Sequence, residues 1–405
     1  MTVAVIGAGA SGMLAALEAA RYGASVTLFE RNTMVGRKLL VTGSGRCNIT
    51  NAAVAAVKYA CADTGWLDSL FHNFGVSDLL ALLGEIGVPV YQTSDGWYYP
   101  LSDSAQTVVD AFASALQLAG VRLRPGVQVT AIGRAEGGFT LRTRQESGEK
   151  DEFFERVIVS AGGKAYPSLG TRGELFPALE QLGHTLLPKR PALAPLLVDL
   201  GPLSALQGVR LDAGVKLWEG KTCLASSSGN LIFTQFGING PAVMNISHQV
   251  SARPGAKLNL ALNLLDFHRA EFNEMLARLR STPTPVKVLL GGFFPPKVGA
   301  LYLRLAKVHE DMRLDQLENS DLERLVDKLQ DTRLAVQGVR DFEYCQVSAG
   351  GVPVTEVDPQ TLESRLVKGL YLTGETLDVV GPCGGYNLQY AFSSGALAGR
   401  AAAAK

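Results

Sequence analysis

The sequence predicts an α/β fold built around a parallel sheet, and three features of the chain support this class. Thr2–Ile6 is an apolar, β-branched run, followed by the turn Gly7-Ala8-Gly9-Ala10-Ser11-Gly12 and then by helical periodicity. A second apolar run ends at Glu30. Near the other end of the chain, a short strand-like run at 370–373 precedes a glycine-rich turn and a helix. Strands alternating with helices in this way are typical of a doubly wound parallel sheet.

The first glycine turn has the spacing of a dinucleotide-binding loop. Gly7 permits the tight turn, Gly9 lets the backbone approach a pyrophosphate, and Gly12 allows the helix to pack on its strand. Free N–H groups at the start of that helix face the anion. Glu30 can accept hydrogen bonds from an adenosine ribose, and an acid there disfavours a 2′-phosphate. The opening therefore predicts a Rossmann-type domain, without separating FAD from NAD.

Length and composition indicate a soluble, cytoplasmic protein of two or three domains. Lys plus Arg and Asp plus Glu number 38 each among 405 residues, so no global charge marks a nucleic-acid or membrane surface. The five cysteines are widely spread without a CxxC pair, which fits reduced thiols. We expect no signal peptide, no membrane-spanning run and no metal site, since no His/Cys cluster has metal-ligand spacing.

The segment after Glu30 predicts contacts to phosphate or flavin. Three glycines and four basic residues lie within 31–46, and amides and cations in such a loop can surround phosphate oxygens. A solvated basic loop is the alternative, which the position directly after the strand pair disfavours. Cys47 either lies beside a reactive ring or is a buried, inert thiol.

Two later segments are further candidates for ligand contact. Strand-like runs between 121 and 143 resemble a β-meander, and the buried run at 156–159 then opens into Ala161 and Gly162. Small residues after a buried strand let the backbone approach a ligand, although an ordinary strand exit is an equal alternative. The aromatic run Trp97-Tyr98-Tyr99 can face a planar ligand, although core packing is the commoner role.

The C-terminal segment favours FAD over NAD. FAD extends beyond its pyrophosphate through a ribityl chain to the isoalloxazine ring, so it needs a second contact element far away in sequence. The strand that ends at Gly374-Glu375 can offer a carboxylate to ribityl hydroxyls. The turn before the last helix aims the amides of Asn387 and Leu388 at the flavin N1/O2 edge, where negative charge develops on reduction.

Several long blocks resemble the BaiN/RdsA-type bacterial FAD-dependent flavoproteins, whose relatives include aminoacetone oxidase. The blocks cover residues 36–51, 233–241, 349–352 and 369–389. The resemblance spans the whole chain and implies FAD held by a split Rossmann-type domain, with an inserted antiparallel β-barrel domain that carries a small helical subdomain. It places adenosine on Glu30, phosphates near Gly9 to Gly12 and Arg46, and the ribityl chain and flavin near Gly374, Glu375, Asn387 and Leu388. Tyr390 departs from the tryptophan expected in many members.

The pattern of polar and apolar residues along the chain agrees with this domain division. Period-two alternation at 209–217 and 258–262 predicts antiparallel strands, and the stripes that follow predict helices. The predicted domains are 1–188 and 348–405 for the two parts of the FAD-binding domain, 189–265 for the β-barrel substrate domain, 266–332 for the helical subdomain and 333–347 for a return strand of the barrel. The predicted cofactor-binding residues are Gly7, Gly9, Ala10, Ser11, Gly12, Glu30, Arg31, Lys38, Gly45, Arg46, Cys47, Val129, Ala161, Gly162, Gly374, Glu375, Asp378, Gly385, Asn387 and Leu388.

The reaction is less determined than the cofactor, because the resembling family covers oxidation of an amino ketone, reduction of a bile-acid enone and reduction of uridine in ribosomal RNA. Our hypothesis is an FAD-dependent oxidoreductase that passes a hydride between flavin N5 and a small-molecule substrate held between the flavin and the β-barrel domain. NADPH or NADH would bind transiently, since the sequence has no second GxGxxG unit. Tyr386, Tyr98 and Tyr99 are candidates for pocket lining or proton transfer.

Three alternatives remain open at this level. A reductase of ribosomal RNA would need a basic track to the flavin. A small amine or amino-ketone oxidase would take electrons directly from its substrate. In a non-enzymatic binding flavoprotein, FAD would be structural. The oligomeric state is not predicted.

Overall fold

The computed structural model describes residues 1–404 and divides them into two compact units. The first unit consists of Met1–Arg190 together with the chain from Phe342 onward. The second consists of Pro191–Asp341. The second unit is therefore inserted into the sequence of the first.

The first unit is built on a five-stranded parallel sheet. Its strands, in spatial order, are Leu370–Leu372, Arg156–Val159, Thr2–Ile6, Ser25–Glu30 and Arg122–Pro125. The three central strands are almost wholly buried, as expected when helices cover both faces of a parallel sheet. The predicted α/β class and Rossmann-type topology are confirmed.

The first and last long helices of this unit pack against each other through glycine. A Cβ atom at Gly395 would lie 2.2 Å from the carbonyl oxygen of Ser11, and one at Gly399 would lie 2.3 Å from that of Ala15. These two glycines therefore permit Tyr386–Ala403 to approach Ala10–Arg21 closely. The contact brings the N-terminal part of the chain and its C-terminal part together beside the sheet.

Smaller elements surround the central sheet. The remaining strands of the first unit are Thr50–Asn51, Val90–Gln92, Trp97–Pro100, Gln128–Ala135, Gly138–Gln145, Gly148–Phe154, Leu187–Ala192 and Val347–Gly351. The remaining α-helices are Arg37–Leu40, Thr64–Asn73, Val76–Glu85, Ala105–Leu118 and Phe176–Gln181. Three of the strands, from Gln128 to Phe154, form a β-meander, whereas the first run of the meander expected between 121 and 143 belongs to the parallel sheet as Arg122–Pro125.

The second unit contains a closed antiparallel barrel. Its strands, in order around the barrel, are Leu196–Val198, Gly237–Asn239, Thr222–Thr234, Arg210–Glu219, Leu258–Asn263 and Thr332–Val339. The helices of this unit are Pro241–Met244, Ser247–Ser251, Arg269–Leu279, Val286–Gly291, Pro296–Leu305 and Asn319–Gln330. Buried Ala213, Val215 and Leu217 alternate along one strand and contribute to the apolar core of this unit.

The last strand of the barrel is shorter than the sequence predicted. The structure has a return strand at Thr332–Val339, which pairs with two strands of the barrel and ends eight residues before the predicted bound. Residues 342–344 form a turn in which the Cys345 thiol contacts the carbonyl oxygen of Phe342. The next strand, Val347–Gly351, belongs to the first unit, so the segment predicted as one strand instead crosses the boundary between units.

Candidate cofactor and active site

The three glycines of the first turn meet different surroundings. A Cβ atom at Gly12 would lie 1.8 Å from the Gly7 carbonyl oxygen, and one at Gly7, where φ is 100°, would lie 2.5 Å from the Ser160 carbonyl oxygen. At Gly9, by contrast, nothing lies within 4 Å of the corresponding position. Packing inside the chain therefore requires the first and third glycines, whereas the second faces open space that a ligand can enter.

The helix that follows presents a positively polarised end to this space. Ala10–Arg21 begins after Gly9 with no capping side chain and no acidic residue in its first turn. The N–H groups of Ala10, Ser11 and Gly12 have no acceptor within the helix, and the helix dipole adds partial positive charge. These features suit the pyrophosphate of a dinucleotide.

Glu30 is held firmly beside the same turn. Its carboxylate is 8% exposed, and its Oε2 accepts a hydrogen bond of 2.9 Å from the Ala8 amide. Its Oε1 accepts from the Asn32 amide at 2.9 Å and from the Asn32 side chain at 2.6 Å. The Val127 amide also donates to the Glu30 carbonyl oxygen, which joins the β-meander, with its buried Val129, to this strand end.

A second carboxylate, Glu375, is bound by residues from distant parts of the chain. Its Oε2 lies 2.5 Å from Lys38 Nζ. Its Oε1 accepts from the Ser348 amide at 2.7 Å and from the Ser348 hydroxyl at 2.8 Å. The adjacent Gly374 lies against the glycine-loop helix, because a Cβ there would stand 2.8 Å from Ser11 Oγ. The structure thus brings the predicted Lys38, Gly374 and Glu375 together with Ser11, and adds Ser348, for which the sequence offered no signal.

The basic segment after the second strand is compact. It contains the short helix Arg37–Leu40 and a 3₁₀ turn at Thr42–Gly45, where Gly45 has a φ of 87°. The exposed guanidinium of Arg46 lies 4.6 Å from the ring centroid of buried Tyr99. Tyr99 therefore packs against this segment through the Arg46 side chain. Arg31, at the strand end, forms an ion pair of 2.5 Å with Glu174.

Cys47 is a buried thiol. It has no exposed surface, and burial raises its pKa to about 12. A thiol with such a pKa stays protonated near neutrality and is a poor nucleophile. Of the two roles open to Cys47, the structure favours the inert one for its side chain.

A second helix N-terminus lies at the start of Tyr386–Ala403. Gly385 precedes it with a φ of 92°, and a Cβ there would lie 2.4 Å from the backbone of Thr50. The helix has no capping side chain and no acid in its first turn. The side chain of Asn387 is engaged with the backbone of Gly381, so Asn387 and half-buried Leu388 offer their amides alone at this end.

The tyrosines proposed for proton transfer occupy different environments. Tyr386 is buried, its ring centroid lies 5.9 Å from that of Tyr59, and burial raises its pKa. Tyr98 is half-buried and donates to Gln92 at 3.1 Å.

Tyr390, which replaces the expected tryptophan, is buried, and its hydroxyl has no hydrogen-bond partner within residues 1–404. Burial raises its pKa well above the usual value.

A small, partly open pocket lies near the carboxyl end of the strand Arg156–Val159. Its lining residues are Val159, Ala161, Gly162, Thr171, Gly173, Leu175, Phe176, Leu179 and Thr376. Thr376 is 1% exposed, and its hydroxyl has no partner among the described residues. The predicted Asp378 lies two residues farther on and accepts a hydrogen bond of 2.6 Å from the Gly350 amide.

The chain matches a known protein family over nearly its whole length. The model of the HI0933-like protein Rossmann domain matches residues 1–401. The chain belongs to this HI0933-like family. The resemblance expected from the sequence is therefore confirmed, and with it the assignment as an FAD-dependent oxidoreductase.

Curated relatives of this HI0933-like protein extend over its whole length. It is 36% identical to a 3-dehydro-bile acid delta(4,6)-reductase of Clostridium scindens, with 99% of this chain and 98% of that protein covered. It is 32% identical to a ribosomal RNA dihydrouridine synthase of Escherichia coli, with coverage of 96% and 95%. A solved 3-ketosteroid-delta4-(5alpha)-dehydrogenase from Rhodococcus jostii shares the fold, with a TM-score of 0.53 and 15% identity over 100% of this chain and 96% of that one.

The residues of the first unit fit FAD. Gly9 leaves open space at an uncapped helix end, a second uncapped helix end lies at Gly385, and the carboxylate of Glu30 lies beside the first. Two buried polar atoms, Asn48 Oδ1 and Thr376 Oγ1, also lack partners within residues 1–404. An anionic dinucleotide with many hydrogen-bonding atoms would satisfy such groups.

Residues 1–404 contain neither a metal-binding cluster nor a membrane-spanning helix. No group of three or more His, Cys, Asp or Glu residues is arranged to hold a metal ion. None of the helices is long and apolar enough to cross a bilayer.

Proposed function

We propose that this flavoenzyme reduces a carbon–carbon double bond conjugated to a carbonyl group in a small molecule. The observation that carries the proposal is the shared chemistry of the bile acid reductase and the dihydrouridine synthase described above. A 3-dehydro bile acid with a delta-4 double bond is an enone, and the double bond of the uracil ring is also conjugated to a carbonyl. A hydride can add to the β-carbon of either compound.

A small molecule is favoured over RNA because three of the four basic residues within 31–46 are engaged within the protein, and the fourth, exposed Arg46, lies on the ring of Tyr99. Lys38 pairs with Glu375, Arg31 pairs with Glu174, and Arg37 donates to Asn32 at 2.8 Å. The net charge of the chain is zero. RNA binding depends largely on free cations that contact phosphates, so this distribution supports the small-molecule substrate.

The residues of the first unit would hold the cofactor in stated ways. FAD, when bound, supplies the hydride chemistry. The amides at the start of Ala10–Arg21 would bind its pyrophosphate, and Glu30 would accept from its ribose hydroxyls. Lys38 and Ser348 would orient Glu375 toward the ribityl chain. The amides of Asn387 and Leu388 would stabilise negative charge on the flavin.

The proposal extends to the electron donor, the inserted unit and the compartment. NADPH or NADH would reduce the flavin from a transient site, and residues 189–265 with the helices of 266–332 would serve as the substrate domain. The five cysteines form no disulfide among residues 1–404, which suits a reducing cytoplasm.

The test is an anaerobic experiment with separate half-reactions. NADPH or NADH is added to the purified yellow protein, and bleaching of the flavin is followed by absorbance. A 3-oxo-delta-4 steroid acid or a uridine-containing transcript of ribosomal RNA is then added. Reoxidation by the enone, with a product that has gained two hydrogens, supports the proposal. Reoxidation by RNA alone, or bleaching by an amine instead of a nicotinamide, contradicts it.

A further inference from the structure

Lys189 occupies an unusual position in the first unit. It lies on the strand Leu187–Ala192, which pairs with Val347–Gly351 in a two-stranded sheet. Its half-buried ammonium lies 3.0 Å from the ring centroid of Phe176. A Cβ atom at Gly351 would stand 3.3 Å from Lys189 Nζ, so the glycine leaves room for the lysine side chain.

The ammonium of Lys189 makes no hydrogen bond or ion pair with any residue in 1–404. The acids that influence it are Glu375 and Asp378. Both have other partners, since Glu375 binds Lys38 and Ser348, and Asp378 accepts from the Gly350 amide. Burial lowers the pKa of Lys189 to about 8, against the attraction of the two acids. The ammonium is thus half-buried on an aromatic ring with no oxygen acceptor among residues 1–404, so it is available to an oxygen atom of a ligand.

A second unsatisfied donor shares neighbours with this ammonium. Thr376 is buried, its hydroxyl has no partner among residues 1–404, and it lines the pocket described above. Phe176, on whose ring the ammonium lies, lines the same pocket. The Thr376 carbonyl oxygen would in turn lie 2.5 Å from a Cβ at Gly351. Lys189 and Thr376 therefore share two neighbours, Phe176 and Gly351.

We propose that Lys189 and Thr376 form a subsite that binds a carbonyl or anionic oxygen of a bound ligand. Any ligand of this subsite would present an oxygen atom that accepts hydrogen bonds from the Lys189 ammonium and the Thr376 hydroxyl. The oxygen belongs either to FAD or to the conjugated carbonyl substrate, and the second source rests on the proposed function.

For a substrate oxygen, the electrostatic consequence is direct. In the proposed reduction a hydride adds to the β-carbon, the electrons of the double bond move toward the carbonyl oxygen, and a proton from water completes the α-carbon. Negative charge therefore develops on the oxygen, where an ammonium stabilises it. Lys189 would be a catalytic residue in this case and a cofactor-positioning residue if the oxygen belongs to FAD.

The experiment compares Lys189→Met with Lys189→Arg, Thr376→Val and a matched control. Lys164→Met is the control, because Lys164 is also half-buried and its ammonium lies 4.6 Å from the ring centroid of Phe342. Two bindings are measured without turnover: FAD to apoprotein by fluorescence quenching, and 4-hydroxybenzaldehyde to holoprotein by difference absorbance. The phenolate of this probe carries charge on oxygen, as an enolate does, so the result does not require the natural substrate.

We expect Lys189→Met to weaken one of the two bindings by about tenfold or more, as for loss of a hydrogen bond from a charged donor. Loss of phenolate binding with normal FAD affinity assigns the oxygen to the substrate, whereas loss of FAD affinity assigns it to the cofactor. Lys189→Arg should retain most of the binding, Thr376→Val should weaken the same ligand, and Lys164→Met should change neither.

Apoprotein stability provides the second readout. Lys189→Met and Thr376→Val each remove an unsatisfied polar group, so the thermal midpoint of the ligand-free variants should equal or exceed that of the parent. If Lys189 and Thr376 serve only to stabilise the fold, the thermal midpoints of the two ligand-free variants should instead be lower than that of the parent. Unchanged binding of both ligands, or a lower midpoint in both apoprotein variants, would overturn the proposal, and neither outcome depends on whether the enzyme reduces enones.

Discussion

Replacement of Glu30 by alanine tests the adenosine end of the cofactor site. The carboxylate accepts three hydrogen bonds, from the Ala8 amide and from the amide and side chain of Asn32, at 2.6 to 2.9 Å. Hydrogen bonds to charged groups contribute about 1.5–3 kcal/mol each, but water entering the space would replace part of that. We therefore expect Glu30→Ala to lower the free energy of unfolding of the apoprotein by about 2–4 kcal/mol.

The same substitution should weaken FAD more than general destabilisation would. Loss of the acceptor for ribose hydroxyls should raise the dissociation constant of FAD about 10- to 100-fold, equivalent to about 1.4–2.7 kcal/mol. The assay is titration of apoprotein with FAD by fluorescence quenching, at a temperature where urea unfolding shows each variant to be folded.

A matched control separates the two effects. Glu18 is also a buried glutamate, 3% exposed, and it pairs with Arg21 at 3.3 Å and with Arg400 at 2.6 Å. Glu18→Ala should destabilise the apoprotein by a similar amount, because it leaves arginines unpaired, but should leave FAD affinity unchanged. If folded Glu30→Ala binds FAD as tightly as the parent, the assignment of Glu30 to the ribose is refuted.

Three further predictions follow from local geometry. Gly9→Ala should leave apoprotein stability nearly unchanged and lower FAD affinity, whereas Gly12→Ala should impair folding itself, because its Cβ would overlap a carbonyl oxygen; urea unfolding and FAD titration separate the two. Burial raises the Cys47 pKa from 9.0 to about 12, so the stability that the protonated thiol contributes is present below pH 9 and is lost as pH rises toward 12. The unfolding free energy of Cys47→Ala, measured against pH, should not show this decrease between pH 9 and 12. His184→Ala should lower the unfolding free energy by about 2–4 kcal/mol without changing FAD content, since both ring nitrogens are hydrogen-bonded in the core; a loss of FAD from folded protein would contradict this.

Local patterns carried the prediction of the fold class. The strand, the glycine turn, the helix and Glu30 are consecutive in sequence, and their roles depend on backbone geometry within a few turns. The final helix and the glycines before it could be predicted from the sequence for the same reason, since they too are consecutive. The return strand was predicted too long, because alternation of residue types does not reveal that the strand ends at Val339 and that the next strand joins another sheet.

Several site features depended on long-range contacts. The sequence placed Lys38 and Glu375 in the cofactor site separately, but only the parallel sheet brings them to 2.5 Å and adds Ser348. The alternatives for Cys47 were likewise resolved by burial, which no local motif specifies.

Lys189 and Thr376 went unnoticed in the sequence, since a lysine on a short strand and a threonine after Glu375 belong to no motif. Their significance comes from what they lack, an oxygen acceptor inside a packed environment. The sequence by itself determined the Rossmann-type turn, the FAD-binding class and the family, because these depend on short-range backbone chemistry. The tertiary structure decided which charges pair and which remain unpaired, because pairing is set by the order of strands and by the helices packed upon them.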